Sequence, residues 1–338
     1  MPGLEALAAE ELTSLGARLT ATLSRFDRRE SLLLFQSADI RRVLHGRLAE
    51  DIFRVVLDTP TPHARNVPAA IARLLEKRAL NTALFEHNAL APKRGGRSYR
   101  TVVRVAGRQP FRREDLEAAV VRALGALLPH WVRTRETASV EVWAHVISER
   151  TIAGVRLTPD EFAQRRYKRA HLPASLKPTV ARALALWSGP RADDVVLDPM
   201  AGAGTILRER ADAGPAKLIA GGDVDRVAID AAQTNAGSHP HLALWDATRL
   251  PIRGESIDAM ITNPPYGRQH EAVRGLDRLY RALLREAARA LRPGGRLVVL
   301  TGEPAILMGA IPKQIRVLER HRLLLRGLPV TAFVAVKR

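Results

Sequence analysis

Four consecutive residues, Asn263-Pro264-Pro265-Tyr266, follow the apolar run that ends in Met260-Ile261-Thr262. The two prolines fix their own φ and offer no N–H, so they close a strand in a stiff corner. A side-chain amide stands before the corner and an aromatic ring after it. A tight turn with a tyrosine lid over the core would use these residues. So would a clamp for a planar ring that carries an amino group.

Three acids stand in comparable places. Asp198 opens DPMAGAGT, where Ala201, Gly202, Gly204 and Thr205 lead into a helix. Glycines there let the backbone approach a ligand and present amide donors at a helix start. Asp223 closes the run LIAGGD, the position of an acid that accepts ribose hydroxyls. Trp245-Asp246-Ala247 follows the next apolar run and places a third acid to accept from an adenine amino group. Any one of these acids could be a helix cap or a solvated turn; four polar strand ends in this order suit a nucleoside followed by an acceptor. AGAGT lacks the lysine of a phosphate-binding loop, and the dinucleotide spacing G-x-G-x-x-G is absent. An adenosine with a short charged tail fits better, which points to S-adenosylmethionine.

The elements that must hold these residues alternate. From VVLDPM to the C-terminus, apolar strand runs and helical patterns (204–213, 226–236, 276–291) follow one another, as in a doubly wound parallel α/β sheet. RLLLRG and TAFVAVK are separated by so few residues that they must form an antiparallel hairpin at the sheet's edge. Upstream, a helix near PGLEALAAEELTSLG, strand runs RLTATLSRF and SLLLFQS, a helix near ADIRRVLHGR and the strand DIFRVVLD make a small α+β unit, and TPTPH reads as a linker. Helical patterns over 66–88, the basic loop KRGGRSYR, the strand YRTVVRVA, the helix REDLEAAVVRALGALL and the strand pair SVEVWAHVI and TIAGVRL make a second. Arg100 and Arg104 flank Val102 and Val103 there, so a half-buried sheet would carry a basic outer face. That face could lie on a phosphate backbone, or protect a sheet edge by charge. Residues 162–172 mix Phe162 and Tyr167 with Arg165, Arg166, Lys168 and Arg169.

The 338 residues carry a net charge of +18, spread over both halves, and such a field draws polyanions, RNA and DNA first. There is no cysteine, which excludes disulfides, thiolate zinc sites and cysteine nucleophiles. The histidines show no ligand spacing, and no metal is expected. No basic-then-apolar leader and no run of about 20 apolar residues is visible, so a cytoplasmic protein without a membrane segment is expected.

DPMAGAGTIL, GGDVD, WDATRLPI and TNPPYGR resemble the motif series of S-adenosylmethionine-dependent methyltransferases that act on exocyclic amino groups. The front half resembles a ferredoxin-like domain followed by a THUMP domain, an RNA-binding module. SVEVWAHVISERTIAGVRLT followed by RRYKRAHLPASLKPTVARAL resembles the end of that module and its junction with the catalytic domain. Together they are similar to the THUMP-containing tRNA guanine-N2 methyltransferases. The resemblance implies a ferredoxin-like domain over 1–58, a THUMP domain over 59–158, a linker over 159–172 and a Rossmann-like methyltransferase domain with an antiparallel last strand over 173–338. It implies tRNA as partner, a monomer, and methylation of guanosine N2 in the acceptor stem, at position 6, on a base flipped out of the helix. Pro173, Ala174 and Ser175 would touch the methionine end of the cofactor, although Ser175 also suits a plain helix cap. Where the family often has C-G-S-G, this chain has Ala201-Gly202-Ala203-Gly204, so side-chain contacts are lost while the backbone cradle stays.

Under this reading the corner has a purpose. An arylamine is a poor nucleophile because its lone pair is delocalised into the ring. The Asn263 side-chain oxygen and the Pro264 carbonyl would accept its hydrogens and localise that pair. Pro265 would stiffen the mount, and Tyr266 would stack on the extracted base. Arg100, Arg104, Arg165, Arg166, Lys168 and Arg268 are the candidate RNA contacts, with Arg268 equally suited to solvent. Methylation of ribosomal RNA guanine, of adenine N6 in DNA or RNA, or of a protein glutamine shares the corner. An RNA-binding chaperone with a relic catalytic domain is the reading outside enzymes; intact Asp198, Asp223, Asp246 and Asn263 weigh against it.

Overall fold

The computed structural model describes residues 1–338 except 24–29, 91–95, 160, 174, 239, 267–272 and 326. The chain divides into an N-terminal unit, Leu12–Gly46 with Glu50–Phe162, and a C-terminal unit, Met1–Glu11 with Arg47–Ala49 and Ala163–Arg338. The first boundary therefore falls inside the opening helix, and a three-residue segment around Arg47 groups with the C-terminal residues.

Helix α1 (Glu5–Ser14) leads to the antiparallel pair β1 (Arg18–Leu23) and β2 (Leu32–Gln36), then α2 (Ile40–Val43), capped by the Asp39 side chain. There follow β3 (Phe53–Pro60), α3 (Val67–Arg73), α4 (Lys77–Leu90), β4 (Ser98–Ala106), α5 (Arg113–Leu127), β5 (Val132–Arg133), β6 (Val140–Ile147) and β7 (Arg150–Arg156). They build a five-stranded sheet in the order β3-β7-β6-β4-β5. Val140, Val142, Ala144 and Val146 alternate along β6 and enter one core with Ile71, Leu84, Leu116 and Leu124 from the three helices. Each buried Val, Leu or Ile among them contributes roughly 1.5–3 kcal/mol. Strand β5 is two residues long, too short to leave a periodic signal, and the sequence reading did not anticipate it.

In the C-terminal unit, α6 (Pro178–Trp187) precedes β8 (Val195–Asp198), α7 (Thr205–Ala211), β9 (Leu218–Asp223), α8 (Arg226–Ala236), β10 (His241–Leu244), β11 (Ile257–Thr262), α9 (Val273–Ala290), β12 (Leu291–Thr301), α10 (Pro304–Ala310), β13 (Ile315–Leu325) and β14 (Leu328–Lys337). The seven strands lie in the order β10-β9-β8-β11-β12-β14-β13. Neighbours from β10 to β12 pair in parallel, and β14 alone runs against them, between β12 and β13. This is the doubly wound sheet with an antiparallel last strand. The hairpin supplies the sheet's edge through β13, while β14 lies one place inside. Chain order reverses between β8 and β11, and in such sheets a ligand binds beyond the strand ends at that point. The short helix α10 was not anticipated, although Pro304 at its first turn is a usual helix start. No described helix is long and apolar enough to cross a membrane.

Candidate active site

Asp198 ends β8, and the chain turns at once through Gly202 (φ +52°) and Gly204 (φ +73°) into α7. Both values lie in the left-handed region that glycine occupies without strain. A Cβ on Gly204 would also stand 3.0 Å from Ala232 of α8, so glycine allows that helix to close on the turn. The turn is tied to the next strand end: Ala201 N donates to the Gly222 carbonyl (2.9 Å) and Gly202 N to Asp223 Oδ2 (2.9 Å). Asp223 Oδ1 accepts from Asp225 N (3.1 Å). Trp245 covers the junction. Its indole N–H donates to the Pro199 carbonyl (3.0 Å), and its ring takes the space a side chain at residue 222 would need.

Asp198 is 1 % exposed. Its Oδ1 accepts from Met200 N (3.1 Å), while Oδ2 is buried without a hydrogen-bond partner. Burial pushes this carboxyl up to about 7; the Met200 N–H pulls it back, and the charge of Asp223 adds to the rise. Asp246 behaves oppositely. It is exposed, and the Thr248 N–H (2.8 Å) and hydroxyl (2.7 Å) on Oδ1 hold it below the usual carboxylate range. Ala247 is buried behind it, as is Thr205 at the head of α7.

At the adjacent end of β11, Asn263 Oδ1 is buried without a partner, and so is Thr262 Oγ1. Ser175 Oγ, at the approach to α6, and Thr179 Oγ1, in its first turn, share that condition. Polar atoms sealed from water and left unpaired cost free energy, and a ligand that meets them recovers it. Their chemistry, one carboxylate oxygen with hydroxyls and an amide oxygen, fits a cationic amino-acid tail on an adenosine. Pro173 is exposed, and Ala174 lies outside the described residues.

The proline corner is held from behind. Tyr280, fully buried on α9, donates its hydroxyl to the Pro265 carbonyl (3.1 Å) and lies 2.8 Å from Thr301 Oγ1. Thr301 Oγ1 accepts in turn from Glu303 N (2.9 Å). One proton arrangement satisfies the row: Glu303 N–H to Thr301, Thr301 O–H to Tyr280, Tyr280 O–H to Pro265. Burial first, and the charge of Glu303 after it, pushes the Tyr280 hydroxyl up to about 12, so it stays a donor at neutral pH. Tyr266, half-buried, rests its ring on Gly302, where a Cβ would stand 2.6 Å from the ring. Tyr280, Thr301 and Gly302 were missed in the sequence, where Tyr280 reads only as one apolar position on a helix stripe.

The candidate RNA contacts fall in several settings. In the N-terminal unit, Arg100 Nε donates to Glu141 Oε1 (2.8 Å), and Glu141 is buried and also paired with Arg156 (3.1 Å). Arg104 is exposed, 3.8 Å from Glu30 and 5.8 Å from the Trp143 ring centre. In the C-terminal unit, Arg166 is exposed, whereas Arg165 donates to the Arg47 carbonyl (2.6 Å) and Lys168 to the Leu176 carbonyl. Arg268 lies outside the described residues. Around Arg165 runs an internal ion cluster. Glu209 of α7, fully buried, accepts from Arg47 Nε (3.0 Å), Arg47 Nη2 (2.9 Å) and the Tyr167 hydroxyl (2.7 Å). It anchors the helix that starts at the glycine turn. Among the described residues no group of three or more His, Asp or Glu could hold a metal ion.

A family model described as the RMKL-like methyltransferase domain (UPF0020) matches residues 165–323. The chain is 33% identical to a tRNA (guanine(6)-N2)-methyltransferase of Thermus thermophilus, over 92% of this chain and 90% of that one. It is 25% identical to a protein of the same description from Methanocaldococcus jannaschii, over 98% and 97%. The crystal structure of TrmN from Thermus thermophilus superposes with a TM-score of 0.82 at 29% identity, covering 100% of this chain and 97% of that one. With that coverage and the strand-end residues in place, the chain belongs to the THUMP-containing tRNA guanine-N2 methyltransferases, enzymes that use S-adenosylmethionine.

Proposed function

We propose that this enzyme methylates N2 of a guanosine in tRNA, at position 6 of the acceptor stem, on a base drawn out of the helix. The observation that carries the mechanism is the buried, partnerless Asn263 Oδ1 on a corner fixed by two prolines and the Tyr280 hydroxyl. Asn263 Oδ1 and the Pro264 carbonyl accept the two N2 hydrogens, which favours a pyramidal nitrogen with a localised lone pair. Pro265 keeps the acceptors in place before the base arrives, so little reorganisation is left for the transition state. Tyr266 stacks on the base and fixes its plane. Asp198, Ser175 and residues 173–174 hold the amino-acid tail of the cofactor, Asp223 the ribose, Asp246 with Ala247 the adenine, and the turn from Ala201 to Thr205 the space between. S-adenosylmethionine supplies an electrophilic methyl carbon on a sulfonium. The chain's part is alignment: the amine is held in line with that carbon, for which no covalent enzyme intermediate is needed.

The N-terminal residues bring the RNA, with residues 1–58 as the ferredoxin-like part, 59–158 as the THUMP part and 159–172 as the linker to the catalytic residues. Arg104 and Arg166 are the exposed cations of the candidate set, and the net charge of +18 draws the polyanion. The enzyme acts as a monomer in the cytoplasm.

Transfer from labelled S-adenosylmethionine, offered separately to tRNA, ribosomal RNA, DNA and a protein glutamine substrate, tests the reading after digestion to single units. N2-methylguanosine from tRNA alone is expected. N6-methyladenosine, or label in another substrate class, would overturn it.

A further inference from the structure

The guanine edge presents three hydrogens side by side, two on N2 and one on N1. The reading above gives the N2 hydrogens to Asn263 and Pro264 and leaves N1–H unmet. A buried donor without an acceptor costs its full desolvation, so a site for guanine needs a third acceptor beside the corner.

The carboxylates at the strand ends of the C-terminal unit differ in what they have left to give. Asp223 accepts from Gly202 N of the glycine turn and from Asp225 N, and Asp246 from Thr248 N of its own turn. Asp198 is sealed against the glycine turn. Glu303, two residues beyond the end of β12, is half-buried, and its carboxylate makes no hydrogen bond or ion pair with any described residue. It occupies the cap position of α10 without a side-chain cap bond, so the ordinary structural use of that side chain is not made. Its backbone N–H binds Thr301 Oγ1, which adjoins the Tyr280 hydroxyl on Pro265. Gly302, the residue before it, is the floor of the Tyr266 ring. Glu303 thus joins the acceptor mount through one row of hydrogen bonds and directly follows the glycine on which the Tyr266 ring rests. Its charge is felt at the Tyr280 hydroxyl.

We propose that Glu303 is a specificity-determining residue whose carboxylate accepts guanine N1–H. The inference rests on the guanine-N2 reading above and adds to it the reason for guanine. Adenine turns a lone pair to the same place, which a carboxylate repels, whereas guanine offers a hydrogen. A site built to bond a donor discriminates strongly against an analogue that lacks it.

The test uses 2-aminopurine, which keeps the 2-amino group, replaces N1–H by a lone pair and lacks O6, a loss that both forms of the enzyme meet alike. A tRNA assembled from two strands carries guanine or 2-aminopurine at the modified position, and kcat/KM is measured for the unaltered enzyme and for Glu303→Gln. The glutamine is nearly isosteric, leaves the backbone bond to Thr301 in place, and can turn its NH2 to a lone pair. The unaltered enzyme should favour guanine, and Glu303→Gln should shrink that preference at least tenfold. Asn263→Ala should lose transfer to both bases alike. An unchanged preference in Glu303→Gln, with transfer to guanine intact in the unaltered enzyme, would overturn this inference alone. Transfer to neither base by the unaltered enzyme would remove the guanine reading, and this inference with it.

Discussion

The Tyr280 hydroxyl reaches the Pro265 carbonyl at 3.1 Å from a fully buried ring on a separate helix. The bond fixes the peptide between Pro265 and Tyr266 and thereby the whole acceptor corner. Tyr280→Phe removes that one bond and little volume. It should lower kcat roughly tenfold, as expected for a hydrogen bond worth about 1 kcal/mol or slightly more, while cofactor Kd and the KM for tRNA hold. Thr301→Val should act in the same direction and Thr301→Ser should restore activity. A fall in thermal stability with kcat untouched would reduce Tyr280 to a core residue.

Asp198 makes the cofactor-free protein sensitive to pH. Its folded-state pKa, about 7, stands above the usual carboxylate value, so the folded chain keeps a proton that the unfolded chain releases. The associated stability is fully present below about pH 4 and is lost as pH rises to about 7, by an amount on the order of a few kcal/mol. Asp198→Asn should flatten that part of the Tm profile and also abolish cofactor binding. Thermal melts from pH 4 to 8 check this; parallel profiles for the two proteins would contradict it.

The basic residues should separate into two kinds. Arg104→Ala and Arg166→Ala, at exposed positions, should weaken tRNA binding and each lower the slope of log K against log salt by about 1. Arg165→Ala should instead cost stability on the order of 2 kcal/mol, because it loosens the cluster around Glu209. Binding titrations at several salt concentrations, beside melts, distinguish them. Salt slopes for Arg104→Ala and Arg166→Ala equal to that of the unaltered enzyme would leave those two cations as plain surface.

The strand ends of the C-terminal unit were legible because each polar residue there, Asp198, Asp223, Asp246 or Asn263, breaks an apolar run. Such a break reports the end of a buried strand without any tertiary knowledge. The hairpin was legible from the short span between two strand runs, whereas the insertion of β14 between β12 and β13 is a matter of sheet order. Tyr280 was not legible. On α9 it sits in a stripe with Leu276, Leu283 and Leu284, and only the folded chain shows its hydroxyl on Pro265. Arg165 and Lys168 read as surface within a basic run, and only the folded chain shows Arg165 on the Arg47 carbonyl and Lys168 on the Leu176 carbonyl. Glu303 left no signal in the sequence, and its missing cap bond is visible only in the structure.

The most direct test is single-turnover methyl transfer to tRNA by Asn263→Ala at saturating S-adenosylmethionine, with circular dichroism and cofactor Kd as controls on the fold. The account predicts a fall in the transfer rate of about 10²–10³-fold, the scale for removing one pre-set polar partner of a transition state, with the fold intact. A rate within twofold of the unaltered enzyme would contradict it.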